Sequence, residues 1–277
     1  MAIRTAAQQE GGRTTERARV IRLRNGRATA VADLLATEEP LEIRLGGERV
    51  AVTMRTPGHD GELAVGFLVG EGIVRPDDVA QAVECRPEEG DGGVVDVRLR
   101  AGAAPSAGWQ RNFYATSSCG VCGKASIEAV RVAAPPVAEG PRIDADMLHA
   151  LPDRMREAQR VFDRTGGLHG AGLFGPGGDL QLVREDVGRH NAVDKVVGRS
   201  ALEGRLPLSD RILVVSGRAS FEIVQKALVA GIPVVAAVSA PSTLAVRLAR
   251  EAKMTLVAFL RPGGFNVYAG PERLAGL

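Results

Sequence analysis

Two of the three cysteines in this chain, Cys119 and Cys122, form a C-x-x-C pair. A cysteine reacts as its thiolate, so such a pair does chemistry where the thiol pKa is lowered and the sulfur can be reached. Gly120 and Gly123 leave the backbone open around both sulfurs. Residues 125–130 have the pattern of a helix start, and the N-terminal dipole of a helix favours a thiolate. The pair therefore predicts a site at which cysteine sulfur itself reacts.

Other roles of this pair stay open. A structural zinc site needs about four Cys or His ligands, and the remaining candidates are scattered singly: Cys85, His59, His149, His169 and His190. A thioredoxin-like redox pair would directly follow a core strand, but residues 108–116 do not have a strand pattern. A disulfide staple is typical of secreted proteins and would leave an odd cysteine. We therefore expect no structural metal, and zinc remains an alternative that metal analysis would test.

Polar side chains gather in three loops of the second half, at residues 165–169, 184–195 and 216–222, each at the end of a predicted element. In open α/β sheets, ligands bind beyond the strand ends, near helix N-termini whose free N–H groups favour anions. The candidate binding side chains in these loops are His169, Arg189, His190 and Arg218. The same loops also have a structural interpretation, with Ser220 as a helix N-cap and with Asp186 and Asp194 as ordinary ion-pair partners.

A fourth candidate segment leaves the last long strand through a Gly-Gly turn. It comprises Phe259, Leu260, Arg261, Pro262, Gly263 and Gly264. Its arginine is suited to stacking on a base or binding a phosphate. A plain hairpin turn between two terminal strands explains the pattern equally well.

The hydrophobic pattern predicts an α/β protein. Hairpins at residues 19–31 and 41–55, a helix capped by Asp60 and a strand at residues 93–100 make the first part α+β. In the second part, a helix from Asp144 to about residue 164 precedes a hairpin. Helices and near-continuous apolar strands then alternate, which indicates a sheet covered on both faces. This order resembles a cytidine-deaminase-like three-layer α/β/α sandwich. Deaminase chemistry is not supported, because the C-x-x-C lies upstream of the histidine motif instead of downstream and His169-Gly170-Ala171 lacks the general-acid glutamate.

Four segments follow from this pattern. We expect a disordered tail at residues 1–17, a smaller α+β domain at 18–115, a loop and short helix carrying the C-x-x-C at 116–140, and the α/β domain at 141–277. Pro135 and Pro136, followed by a Gly-Pro pair, favour a boundary before the last segment.

Composition excludes several classes of protein. The chain has 277 residues, 45% of them apolar and 25% charged, and a net charge of +2, which is ordinary for a globular protein and not a nucleic-acid-binding signature. No apolar run approaches the ~20 residues of a membrane span. The first 17 residues are polar and do not resemble a secretory signal. We expect a cytoplasmic protein that binds neither nucleic acid nor membrane.

Four motifs together resemble the FdhD/NarQ family, the sulfur carrier proteins that formate dehydrogenase requires. They are the residues 119–123, 165–169, 185–195 and 216–222, with sequences CGVCG, TGGLH, EDVGRHNAVDK and SGRASFE. The eleven-residue motif is highly specific, whereas a C-x-x-C alone is weak. The resemblance covers the chain from about Val20 to its C-terminus.

The resemblance implies a mechanism and a set of partners. A cysteine desulfurase would pass sulfane sulfur to Cys119, with Cys122 assisting release, and the sulfur would reach the molybdenum cofactor of a formate dehydrogenase catalytic subunit. That cofactor is bis(molybdopterin guanine dinucleotide), so a guanine nucleotide such as GDP would mimic it. The cofactor-binding positions implied are residues 259–264 with His169, Arg189, His190 and Arg218. Members of the family are commonly homodimers. A chaperone that binds the cofactor without carrying sulfur is the main alternative.

Overall fold

The computed structural model describes residues 14–85, 92–106, 132 and 134–277. Cys119 and Cys122 lie outside the described residues, as does most of the predicted 116–140 segment.

The first half contains strands and one long helix. Its elements are β1 (Thr15–Arg24), β2 (Arg27–Ala36), β3 (Glu39–Leu45), β4 (Glu48–Arg55), α1 (Asp60–Gly70), β5 (Val79–Cys85) and β6 (Gly93–Leu99). Strands β1 and β2 form a separate two-stranded hairpin, which we call the N-terminal hairpin. The other four strands form a sheet in the order β4-β3-β6-β5.

The second half alternates helices and strands. Its elements are β7 (Ile143–Asp144), α2 (Ala145–Leu148), α3 (Leu151–Ala158), α4 (Arg160–Thr165), β8 (His169–Phe174), β9 (Leu180–Asp186), α5 (Arg189–Leu202), β10 (Ile212–Val215), α6 (Phe221–Val229), β11 (Val234–Ala237), α7 (Thr243–Glu251), β12 (Thr255–Arg261), β13 (Gly264–Ala269) and β14 (Leu274–Ala275). Six of these strands form the central sheet, in the order β13-β12-β11-β10-β8-β9. Strands β10, β11 and β12 are parallel, and the other three are antiparallel to their neighbours.

The central sheet is covered on both faces, as its apolar strands predicted. Leu213 and Val215 on β10 belong to a large apolar cluster with α5, α6 and α7. The alternate residues Ile212 and Val214 belong to a second cluster with α2 and α3. Successive side chains of a strand point to opposite faces, so this division places one helix layer on each side. The mixed α/β class is confirmed.

The two halves pack together through α1 and α5, which cross at very close range. A Cβ atom added to Gly66 would lie 1.8 Å from the carbonyl oxygen of Asp194, and one added to Gly198 would lie 1.8 Å from that of Glu62. Glycine is therefore required at both positions, because any side chain would overlap the backbone of the other helix. The large apolar cluster continues from the central sheet through these helices to Leu41 and Ile43 on β3.

Several local predictions were wrong. The single helix from Asp144 to about residue 164 is three short helices, since Pro152 opens α3 and Gln159 leaves helical geometry with ψ 78°. Asp60 is not the N-cap of α1, because His59 holds that position and Asp60 pairs with Arg55 instead. Strand β5 was missed. Strand β1 begins at Thr15, so the last residues of the predicted disordered tail are in a strand.

None of the helices in the described residues has the length and apolar run that a membrane crossing requires.

Candidate functional site

Five chain segments meet at one edge of the central sheet. The parallel strands β10, β11 and β12 end there. Antiparallel pairing brings the start of β8 and the end of β9 to the same edge, because Ala171 pairs with Val215 and His169 with Asp186. The loops after β10 and β11 are joined by the hydrogen bond from the Ser239 amide to the Gly217 carbonyl, 3.3 Å long. The position beyond the strand ends is where open α/β sheets bind ligands.

Three helices begin at this edge, α5, α6 and α7. The first amides of α7 are partly satisfied, because the Ser242 hydroxyl accepts a 3.2 Å hydrogen bond from the Ala245 amide. Helices α5 and α6 have no side-chain cap. The N-terminal dipole of each of these helices attracts an anion.

His169 and Arg189, which the sequence separates by one strand hairpin, lie on either side of Gly217. A Cβ at Gly217 would be 3.5 Å from Nδ1 of His169 and 3.6 Å from Cδ of Arg189. Burial lowers the pKa of His169, and the positive charge of Arg189 lowers it further against the opposing effect of Asp186. The imidazole is therefore neutral at neutral pH. Nε of Arg189 is buried and has no hydrogen-bond partner in the described part of the chain, so it can still donate to a ligand.

His190 is more buried than His169, Arg189 and Arg218. Its side chain is buried, and Nε2 is 3.1 Å from Oγ of Ser220 and 3.7 Å from a carboxylate oxygen of Glu222. Ser220 does precede α6, but its hydroxyl faces His190 and makes no cap hydrogen bond. His190 thus connects the start of α5 to the start of α6 through its contacts with Ser220 and Glu222.

Asp186 holds the loop between β9 and α5 in place. Its fully buried carboxylate is 2.6 Å from Nζ of Lys195 and accepts hydrogen bonds from the amide of Gly188 and the side chain of Asn191. It also accepts one from the amide of Thr56, in the other half of the chain. The structural interpretation of Asp186 is therefore confirmed.

Asp194 is also paired, in a buried set that the sequence did not reveal. Nζ of Lys226 lies 2.8 Å from Asp194 and 3.1 Å from Glu71. Burial, together with the carboxylates of Glu71 and Asp186, raises the pKa of Asp194 to about 7 despite the opposing effect of Lys226. Burial alone would lower the pKa of Lys226, but the two carboxylates raise it above its ordinary value. The set ties α1, α5 and α6 together behind the site.

The remaining predicted residues line the outer part of the edge. Arg218 is exposed on the loop after β10. Phe259 has a left-handed backbone with φ 54°, and its amide donates to the carbonyl of Ser239 over 3.2 Å. The side chain of Leu260 is fully buried in the second apolar cluster, so only its backbone can reach a ligand. Arg261, Pro262 and Gly263 form the exposed tip between β12 and β13, which Gly264 begins.

The described residues that flank the cysteine segment both meet α1 at its C-terminal end. The Ser106 hydroxyl donates to the carbonyl of Gly72 over 2.7 Å. On the other side, the Val132 amide donates to the Gln225 side chain on α6 over 2.9 Å, and a Cβ at Gly72 would lie 2.6 Å from the Val132 side chain. Within the described residues, no group of three or more His, Cys, Asp and Glu side chains is placed to hold a metal ion.

Comparison with known proteins gives a consistent result. The model of the FdhD/NarQ family matches residues 36–275. Proteins named sulfur carrier protein FdhD from Streptomyces avermitilis and Mycobacterium tuberculosis are 56% and 52% identical, with 95% of this chain covered in each case and 97% and 99% of theirs. A crystal structure of a formate dehydrogenase accessory protein from Desulfotalea psychrophila superposes with a TM-score of 0.73 at 27% identity, covering 95% of this chain and 100% of that one. The chain belongs to the FdhD/NarQ family.

Proposed function

We propose that this protein is a sulfurtransferase that carries sulfur on Cys119 and delivers it to the molybdenum cofactor of a formate dehydrogenase. The observation that carries the proposal is the edge of the central sheet, where His169 and Arg189 both lie close to Gly217 and where α5 and α6 begin without a side-chain cap. In a member of this family, such a site suits the phosphates of a nucleotide-bearing acceptor.

Sulfur is loaded onto Cys119 by a single thiolate–persulfide exchange. The Cys119 thiolate attacks the outer sulfur of a cysteine desulfurase persulfide, the donor S–S bond breaks, and the desulfurase cysteine leaves as a thiolate. Cys119 now carries the persulfide. No net oxidation occurs, because one S–S bond is made and one is lost.

Release of sulfur uses the second cysteine. The Cys122 thiolate attacks Sγ of Cys119, the outer sulfur leaves as hydrosulfide toward the metal of the acceptor, and a Cys119–Cys122 disulfide remains. An external thiol reductant then supplies the two electrons that restore both thiols.

The acceptor, bis(molybdopterin guanine dinucleotide), is written here as the substrate. Arg189 and the N-terminal ends of α5 and α6 are suited to its pyrophosphate groups, since a guanidinium and the positive end of a helix dipole both attract phosphate. Arg218 and Arg261 are exposed at the rim and are suited to a guanine base or an outer phosphate. We propose a cytoplasmic homodimer with a cytidine-deaminase-like second half, and partnership with a desulfurase and the formate dehydrogenase catalytic subunit.

Intact-mass measurement tests sulfur loading. After incubation with a cysteine desulfurase and cysteine, the protein should gain the mass of one sulfur atom, and a reductant should remove it. Cys119→Ser should abolish the gain. The matched control is Cys85→Ser, because Cys85 is a free, exposed thiol elsewhere in the chain and its loss should change nothing.

Two results would contradict the proposal. A wild-type protein that binds GDP but never gains sulfur would be a cofactor chaperone. A protein that holds about one zinc per chain, lost in Cys119→Ser, would have a structural metal site.

A further inference from the structure

The N-terminal hairpin pairs along its whole length, from Thr15 opposite Ala36 to Arg24 opposite Arg27, and forms a sheet of its own. A two-stranded hairpin with no further support is only marginally stable in water. The family match begins at residue 36, where the hairpin ends.

The two faces of the hairpin carry different residues. Because side chains alternate along a strand and directly paired residues share a face, the register puts five apolar residues together on the outer half of one face: Ile21, Leu23, Ala28, Ala30 and Ala32. We call this the apolar face. Arg19, opposite Ala32, lies at the edge of this apolar group. Ile21 is 72% exposed and Leu23 is 70% exposed. The opposite face carries the Arg22–Asp33 ion pair, 3.5 Å apart, and the apolar pair of Val20 and Val31. A contiguous exposed apolar surface on a soluble protein marks an interaction site.

The apolar face leads toward the candidate functional site. Farther along the same side of the hairpin, Arg17 and Leu34 line a cavity of about 610 Å³, together with Glu39 and Arg164. At the hairpin base, a Cβ on Gly167 would lie 3.3 Å from Cβ of Ala36. Gly167 belongs to the loop that enters β8 at His169. A protein that brings an acceptor to the edge of the central sheet would therefore meet the hairpin beside it.

The charge of the hairpin selects the kind of partner. Residues 15–36 contain five arginines and only two carboxylates. Arg19 lies on the apolar face itself. Arg24 and Arg27 are directly opposite each other beside the turn, on the face opposite the apolar face. This arrangement of like charges is unfavourable, and neither has an ion-pair partner in the described residues. A second copy of the hairpin would add to this repulsion, whereas a partner surface with carboxylates would relieve it.

We propose that the apolar face is the docking surface for the formate dehydrogenase catalytic subunit, which presents an apolar strip edged by carboxylates. This inference rests on the proposed function, since it takes the acceptor enzyme to be the protein that approaches the site. Docking of this kind holds the enzyme beside His169 while sulfur is delivered.

Binding measurements on the full-length protein test this inference. In Ile21→Thr/Leu23→Thr, threonine keeps the strand preference but removes apolar area, so affinity for the purified formate dehydrogenase subunit should fall by about tenfold or more. Arg24→Glu/Arg27→Glu should slow association and reduce its dependence on salt. The controls are Val52→Thr, which changes a residue 46% exposed on β4, and the exposed Arg142→Glu. Both should bind within about twofold of wild type.

Three outcomes would overturn docking of the enzyme. These are unchanged affinity in both hairpin variants, conversion of a dimer to a monomer by Ile21→Thr/Leu23→Thr, and binding of wild type to phosphatidylserine vesicles that the hairpin variants lose. Sulfur loading of Cys119 by a desulfurase, followed by intact mass, should remain at the wild-type level in every hairpin variant. Failure of loading in the wild type itself would instead refute the proposed function, so the two failures are distinguishable.

Discussion

At the scale of single residues, the positive charge of Arg189 affects the protonation of the neighbouring His169 imidazole in the candidate site. The sequence put His169 and Arg189 in different loops of one predicted site, but it did not show that these two side chains would be neighbours. In the structure both side chains approach Gly217, and burial and Arg189 together keep the pKa of His169 below its ordinary value. A neutral imidazole can accept or donate a hydrogen bond without adding a charge to an anion site.

Replacing Arg189 by glutamine should therefore raise the pKa of His169, since it removes the positive charge that disfavours the imidazolium while leaving the burial in place. The variant histidine should charge at a higher pH than in the wild type. NMR titration of the imidazole measures this directly. In Arg218→Gln, which removes an arginine that does not act on His169, the pKa should stay at the wild-type value. Equal pKa values in the wild type and Arg189→Gln would show that the two side chains are not coupled.

At the scale of elements, the crossing of α1 and α5 decides how the halves fit. Each helix has a glycine at the crossing point, Gly66 on α1 and Gly198 on α5. The backbone of α5 occupies the space beside Gly66, and the backbone of α1 occupies the space beside Gly198. Buried side chains on either side of the crossing, such as Leu63 and Val197, belong to the same apolar cluster. Close-packed interiors of this kind do not accommodate extra atoms without moving a whole element.

We expect Gly198→Ala to lower the free energy of unfolding by about 3 kcal/mol or more, because its methyl group would overlap the carbonyl of Glu62. Gly61→Ala is the matched control on α1. Its Cβ would make an ordinary contact, 3.4 Å from Cβ of Ala82, so stability should change by less than about 1 kcal/mol. Urea unfolding followed by circular dichroism compares the two. Equal stability of Gly198→Ala and wild type would mean that the helices do not cross at this distance.

At the scale of the whole molecule, the two halves share one interior. The large apolar cluster contains Leu41 and Ile43 from β3 as well as Leu213 and Val215 from β10. Buried polar contacts also cross between the halves, including Lys195 to the carbonyl of Thr56 and Lys226 to Glu71. The predicted boundary near residue 141 thus separates two segments of chain whose described residues are packed against each other.

The two halves should accordingly unfold in one transition. Amide hydrogens of β3 and of β10 should exchange with the same opening free energy, because exposing one strand breaks the cluster that holds the other. Hydrogen exchange followed by mass spectrometry, at rising urea concentration, measures both strands in one experiment. Loss of protection in β3 well before β10 would support two independent domains at residues 18–115 and 141–277.

Sequence alone determined the order of strands and helices after residue 167 and the family of the protein. Strands such as β10 and β11 are continuous apolar runs, and a Gly-Gly turn marks the hairpin of β8 and β9. These signals depend only on residues that are close together in the sequence. The motif at residues 185–195 was specific enough to indicate the FdhD/NarQ family, which the comparisons confirm. An anion-binding edge was predicted from strand ends and helix starts. The structure does bring those loops together, and the binding of an anion there stays a prediction.

Only the tertiary structure decided which side chains are partners. The pairing of Asp60 with Arg55 replaced a predicted helix cap, and Lys226 meets Glu71 although 155 positions separate them in the chain. The hydroxyl of Ser220, a predicted N-cap, faces His190 instead. Periodicity states which face of an element is buried, but the partner on that face depends on how two elements cross. That crossing is fixed here by backbone contacts at Gly66 and Gly198, between elements that no local pattern relates.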